Sequence, residues 1–293
     1  MNVRLRPQRF LQQKAHDQLQ SMVAGPHAEK AARRIWETPG ARWFTPEDPI
    51  WRVHAHAAMF PAGITSLLLQ SLHPGAMYGV ADHSGYRGDP WGRLQRTSTY
   101  LATTTFGTIT HAERLIGAIR RIHERVRGVD DEGRPYEAND PHLLRWVHLA
   151  EAYSFLTAHQ MYSSSPLDAS EMDTYVQQSC ISARLLGAED LPETWEGLLN
   201  GLESYLPELR CTPPARDAAA FLLDEPPLPK YAWPAFRLVT GGGLACLPQW
   251  ARDMLERQAG PQRLKSEKIG GRIAVAGIGW ALAAERPEVA QAA

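Results

Sequence analysis

Residues 140–161 read DPHLLRWVHLAEAYSFLTAHQM. Asp140 before Pro141 is a helix start: the carboxylate can cap open N–H groups of a first turn, and proline at the first helical position lacks only an N–H that would be unpaired anyway. His148, Glu151, Phe155 and His159 follow at i, i+3, i+7 and i+11, which places them near one face of a long helix. Leu144 and Val147 add apolar wall beside them. An imidazole on such a face needs a partner, because burying an unpaired polar group costs roughly 1–3 kcal/mol.

The same start chemistry recurs along the chain. Asp89-Pro90 repeats it, Thr212-Pro213 repeats it with a hydroxyl, and Thr110-x-x-Glu113 and Asp168-x-x-Glu171 have the form of capping boxes. These starts predict helices over 91–106, 111–127, 141–161, 169–186 and 213–223, and apolar periodicity adds 12–36, 55–72, 194–204, 235–258 and 265–285. No alternating strand pattern, GxGxxG, P-loop or internal repeat stands out. The expected fold is all-α, a single multi-helix orthogonal bundle. Its main domain is expected over 40–260, with an N-terminal helical extension (1–39) and a C-terminal one (261–293). The Gly- and Pro-rich stretch 128–141 reads as a surface loop or a boundary.

Composition narrows the function. Thirty-one Lys+Arg against thirty-two Asp+Glu give a net charge of −1, which offers no electrostatic footprint for nucleic acid. The three cysteines, Cys180, Cys211 and Cys246, form no C-x-x-C pair and fit a reducing compartment. The first residues lack the apolar core of a secretory signal, so a cytoplasmic location is expected. The apolar stretches 232–250 and 269–284 are broken by Pro234 and Arg237 and by Arg272, and read as packed helices without a transmembrane span, peripheral membrane contact staying open.

Two concentrations of residues can carry chemistry. On the 141–161 helix, His148 and His159 stand about 16 Å apart and cannot share a metal ion. His148 is either a hydrogen-bonded core residue or a single ligand to haem iron. His148-x-x-Glu151 is the reverse of the Glu-x-x-His motif that a di-iron bundle needs in pairs. His54-x-His56 has no Cys/His partners to complete a zinc set and reads as structural. The second concentration is HPGAMYGVADHSGYRGDPWGRLQRT at 73–97, where Arg93, Arg96 and Thr97 share one helix face and can anchor carboxylates or line a pocket mouth, or simply face solvent.

Taken together, SLHPGAMYGVADHSGYRGDPWGRLQRTSTYL, GRPYEANDPHLLRWVHLAEAYSFL, WRVHAH and PPLPKYAWPAF resemble the family of the rubber oxygenase, or latex clearing protein, and the MpaB-type oxygenase of mycophenolic acid biosynthesis. The resemblance runs from about Trp51 to about 236. It implies an all-helical fold enclosing non-covalent haem b, with His148 as the proximal iron ligand. It further implies that Arg93, Arg96 and Thr97 match the family's Arg-x-x-Lys-Thr motif beside the haem, Arg96 standing where lysine is usual. Arginine stays charged and is a poor iron ligand, so an open or water-filled distal position is expected, with Arg96 pairing with a propionate or polarising bound oxygen. Tyr153 stands where relatives often carry an acid, and the catalytic glutamate of rubber cleavage has no alignable counterpart. Glu151 is a candidate for a polar role beside the cofactor or for a peripheral salt bridge, and Phe155 would supply apolar wall. His73 and His83 are candidates for propionate contact or for loop hydrogen bonds. The implied activity is haem-dependent oxygenation of a small apolar, possibly terpenoid-like or unsaturated molecule with dioxygen; the rivals are a non-catalytic haem sensor or carrier and a haem-free helical protein.

Overall fold

The computed structural model describes residues 7–25, 28–85 and 87–283; the ends of the two expected extensions (1–6 and 284–293), residues 26 and 27, and residue 86 lie outside the described residues. The helices are α1 (Pro7–Ala24), α2 (Ala28–Trp36), α3 (Pro49–His54), α4 (Met59–Gln70), α5 (Pro74–His83), α6 (Pro90–Phe106) and α7 (Ile109–His123), then α8 (Pro141–Tyr162), α9 (Ala169–Leu186), α10 (Trp195–Ser204), α11 (Pro213–Leu223), α12 (Trp233–Cys246), α13 (Gln249–Met254) and α14 (Pro261–Leu282). A short antiparallel hairpin, β1 (Arg127–Val129) and β2 (Pro135–Glu137), pairs Gly128 with Tyr136 between α7 and α8. The fold is all-α apart from that hairpin. No described helix is long and apolar enough to cross a membrane.

Helix α8 is the axis of the bundle. Thirteen of its residues are buried, from Leu143 to Tyr162, so it is covered on nearly every side and not along one stripe. It packs on α4, α9, α10, α12 and α3. Trp146, Leu149 and Leu156 are fully enclosed and join Leu68, Leu69, Tyr175 and Leu198 in the main core. On the far side, α12 and α14 cross where Gly242 meets Gly271, and a Cβ on Gly271 would lie 2.5 Å from Tyr162 Oη and 2.8 Å from Gly242 Cα. Tyr162 Oη donates to the Gly242 carbonyl at 2.8 Å and Thr65 Oγ1 to that of Gly243 at 2.8 Å, binding α8 and α4 to α12. Arg252 of α13 is buried, donates to the Leu244 carbonyl and pairs with Glu267 of α14 at 2.9 Å.

Local signals set most helix starts. The Gly92 N–H donates to Asp89 Oδ1 at 2.9 Å, the His142 N–H to Asp140 Oδ1 at 2.9 Å and the Ala215 N–H to Thr212 Oγ1 at 3.3 Å. Asp168 and Glu171 close a reciprocal box, both bonds at 2.9 Å. The expected box at Thr110 is a correction: α7 begins at Ile109 behind Thr108, which makes no side-chain cap bond, and Thr110 sits inside the first turn. Two of the expected long helices divide and a third starts late. The stretch 12–36 breaks at Gly25, whose φ of +74° suits glycine; 55–72 begins only at Met59; and 235–258 breaks before Pro248. The stretch after His73, where no helix is expected, forms α5, with Pro74 in its first turn.

Candidate functional site

A small cavity lies where α3, α6, α8 and α9 converge. His148, Glu151 and Ala152 of α8 face it, with Tyr175, Gln178, Ser179 and Ser182 from α9, Leu101, Thr104 and Thr105 from α6, and Ile50 and His54 from α3. The Asp140–Pro141 start sets the register of α8, and one turn separates His148 from Glu151 on the same face.

His148 is 7% exposed, and its Nε2 stands 3.5 Å from Cys180 Sγ. The Cys180 thiol donates to the Pro192 carbonyl at 3.3 Å, and burial pushes it up to about 11, so it carries its proton at neutral pH. Burial, with Arg145 and Arg184 nearby, pulls His148 down to about 4. Its ring is therefore neutral, the form that ligates a metal or accepts a proton. Glu151 is displaced in the opposite direction: burial pushes its carboxyl up to about 7. Tyr100 and Tyr175 are also raised, first by burial and then by Glu151, and both stay protonated beside that carboxyl. A neutral imidazole and a carboxyl poised near neutrality thus share one cavity, the pattern expected of acid–base chemistry.

His54 completes the group. Its Nδ1 is 2.7 Å from Thr105 Oγ1, its Nε2 3.5 Å from Tyr175 Oη, and burial pulls it down to about 3. The Phe155 ring meets it edge-on at 5.3 Å, which puts Phe155 behind His54 and one layer from the cavity. His54 reads as structural in the sequence, whereas the structure puts it in the cavity wall. A signal was available: Asp48-Pro49 has the Asp-Pro form of the starts at 89 and 140, and a helix begun there carries His54 on its last turn.

The other expected residues stand elsewhere. Arg93 Nη1 donates to Ser84 Oγ at 2.7 Å, Arg96 pairs with Asp89 at 3.2 Å on the surface, and Thr97 is exposed. All three lie in the first half of α6, Thr97 about 10 Å along the axis from Thr104. Thr97, Leu101 and Thr104 nonetheless fall at i, i+4 and i+7, so one stripe leads from the motif into the cavity wall. His83 Nε2 lies 3.2 Å from the Arg127 carbonyl oxygen on the hairpin, and His73 lies beside Glu208 at 3.6 Å. Neither lines the cavity.

Haem b asks two things of these residues. The donor is present, a buried neutral imidazole facing a cavity. The slot is not: the cavity measures about 10 Å³, room for one water, against roughly 300–1,000 Å³ for ordinary cofactor pockets. In this packing the residues do not admit a macrocycle.

The family model described as "ER-bound oxygenase mpaB/B'/Rubber oxygenase, catalytic domain" matches residues 51–280. The match begins at Trp51 on α3 and ends inside α14, so it takes in every residue that lines the cavity except Phe44 and Ile50. No curated protein and no solved structure matches the chain.

Proposed function

The chain belongs to the MpaB and rubber oxygenase catalytic-domain family, and from that premise we propose that it oxygenates a small apolar organic substrate with dioxygen, using haem b held at His148. The supporting observation is the pairing of a neutral His148 with Glu151, a carboxyl near neutrality, in one enclosed cavity. The cofactor would supply the oxygen chemistry. The chain supplies the rest: His148 offers a ring nitrogen, Glu151 exchanges a proton at its carboxylate, and Leu101, Phe155 and Ala152 keep the surroundings apolar. The proposal requires α6 to stand farther from α8 and α9 in the loaded protein. Helix α6 packs mainly on α1, α7, α3 and α2, and because Thr104 and Thr105 of its buried end line the cavity, that end must shift and release His54 from Thr105. Arg93, Arg96 and Thr97 would then border the widened mouth.

The narrowness of the cavity favours a second reading, a haem-free helical protein in which His148 is a core residue against Cys180. Visible spectroscopy separates them. Wild type purified or reconstituted with haem is expected to show a Soret band that His148→Ala loses while its far-UV circular dichroism stays unchanged. A folded wild type that takes up no haem removes the proposal in favour of the second reading. Substrate-dependent oxygen uptake is the further expected result; a Soret band without it would mark a haem sensor or carrier.

A further inference from the structure

At the N-terminal end of α8, beside Trp146, a second group of side chains lies outside the cavity lining and has no part in the site above. His73 precedes α5, His142 is in the first turn of α8, and Glu208 follows α10; one ligand atom from each lies within 4.8 Å of the other two. We propose that His73, His142 and Glu208 bind a divalent transition-metal ion, zinc in the first instance, as a two-histidine, one-carboxylate site with solvent at the remaining position.

Three observations carry this. Both ring nitrogens of His73 are buried and, among the described residues, lack a hydrogen-bond partner, an arrangement proteins rarely leave uncompensated. Glu208 Oε2 stands 3.6 Å from His73 Nε2, too far for a hydrogen bond and suited to two ligands of one ion. His142 Nε2 lies 3.0 Å from both oxygens of the same carboxylate.

The surroundings orient the donors as a metal site requires. Tyr205 Oη donates to the His142 carbonyl at 2.9 Å, so its oxygen can accept from His142 Nδ1–H at 3.3 Å. Without a metal, His142 Nε2–H donates to the Glu208 carboxylate; a bound cation would select the tautomer protonated at Nδ1 and take the Nε2 lone pair. Tyr205 is fully buried and stacks on the His142 ring at 4.5 Å, fixing its plane. The Arg210 N–H donates to the Leu72 carbonyl at 2.9 Å, which holds the segment carrying Glu208 beside His73. Two nitrogens and a carboxylate oxygen are the ligand types zinc accepts in open, water-bearing sites.

The test uses the full-length, tag-free chain stripped with chelator and titrated with zinc by calorimetry, with cobalt(II) absorption as a second readout. Saturable uptake of one equivalent is expected, with cobalt d–d bands. His142→Ala, at an exposed position, and Glu208→Ala, at a half-buried one, should each weaken uptake at least about tenfold with unchanged circular dichroism, while His148→Ala binds zinc as wild type does. Absence of saturable uptake, or uptake equal in wild type and both variants, overturns the site and leaves a histidine–glutamate ion pair. Loss of uptake in His148→Ala overturns it as well, by moving the metal to the other cavity.

Discussion

Glu151 and His148 are displaced in opposite directions by the same burial, and each leaves a signature in stability. Glu151 titrates near 7 in the folded chain against an ordinary value of 4.5. A raised acid contributes its full stability below the unfolded value and loses it as pH climbs through the folded one. Glu151→Gln should therefore gain on wild type as pH rises from about 4.5 to 7 and hold the gain above, at most on the order of 3 kcal/mol; urea unfolding of both proteins at pH 5 and pH 8 checks this, and an equal difference at the two values contradicts it. His148, lowered to about 4, works in the other window: its contribution is complete above 6.5 and fades as pH falls toward 4. These two residues could be singled out in the sequence because they share one helix, where spacing alone sets their relation. His54 and Tyr175 could not, since each reaches the cavity from another helix and only tertiary packing brings them there.

Whether a helix was legible in the sequence depended on where its boundary chemistry resides. The starts at Asp89, Asp140, Asp168 and Thr212 are encoded within four residues, and all four side chains make the expected cap bonds. Helix α5 was missed because two glycines and the absence of a capping side chain weaken its local signal; burial of Pro74 and Met77 sustains it instead. The hairpin was missed because three-residue strands are too short to display alternation. The crossing of α12 and α14 is likewise a matter of contact, invisible until Gly242 meets Gly271. There Gly271→Ala is expected to destabilise by about 1–3 kcal/mol, since the added methyl meets backbone and the Tyr162 ring. On the exposed face of the same helix, a Cβ on Gly277 would meet none of the described residues within 4 Å, and Gly277→Ala should stabilise by about 0.5–1 kcal/mol. Chemical denaturation of the two variants should move the midpoint in opposite directions, and a shift in the same direction would contradict the packing described.

Across the whole molecule, polar groups hold the far end of the bundle to its middle. Arg252 links the end of α12 to Glu267 on α14, with little solvent at either partner. Removing the carboxylate leaves a buried guanidinium uncompensated, and Glu267→Ala is expected to cost about 3–5 kcal/mol, read as a fall in thermal midpoint and in urea midpoint. A loss below about 1 kcal/mol would mean that water reaches Arg252. The three thiols provide a built-in chemical clock. Cys180 and Cys246 are enclosed and Cys211 is half-buried, so a small alkylating reagent should modify Cys211 first. Because Cys180 touches His148, its alkylation rate counts how often the wall between α8 and α9 parts. Mass spectrometry of the quenched protein would register that breathing directly, in chains carrying no chromophore at all.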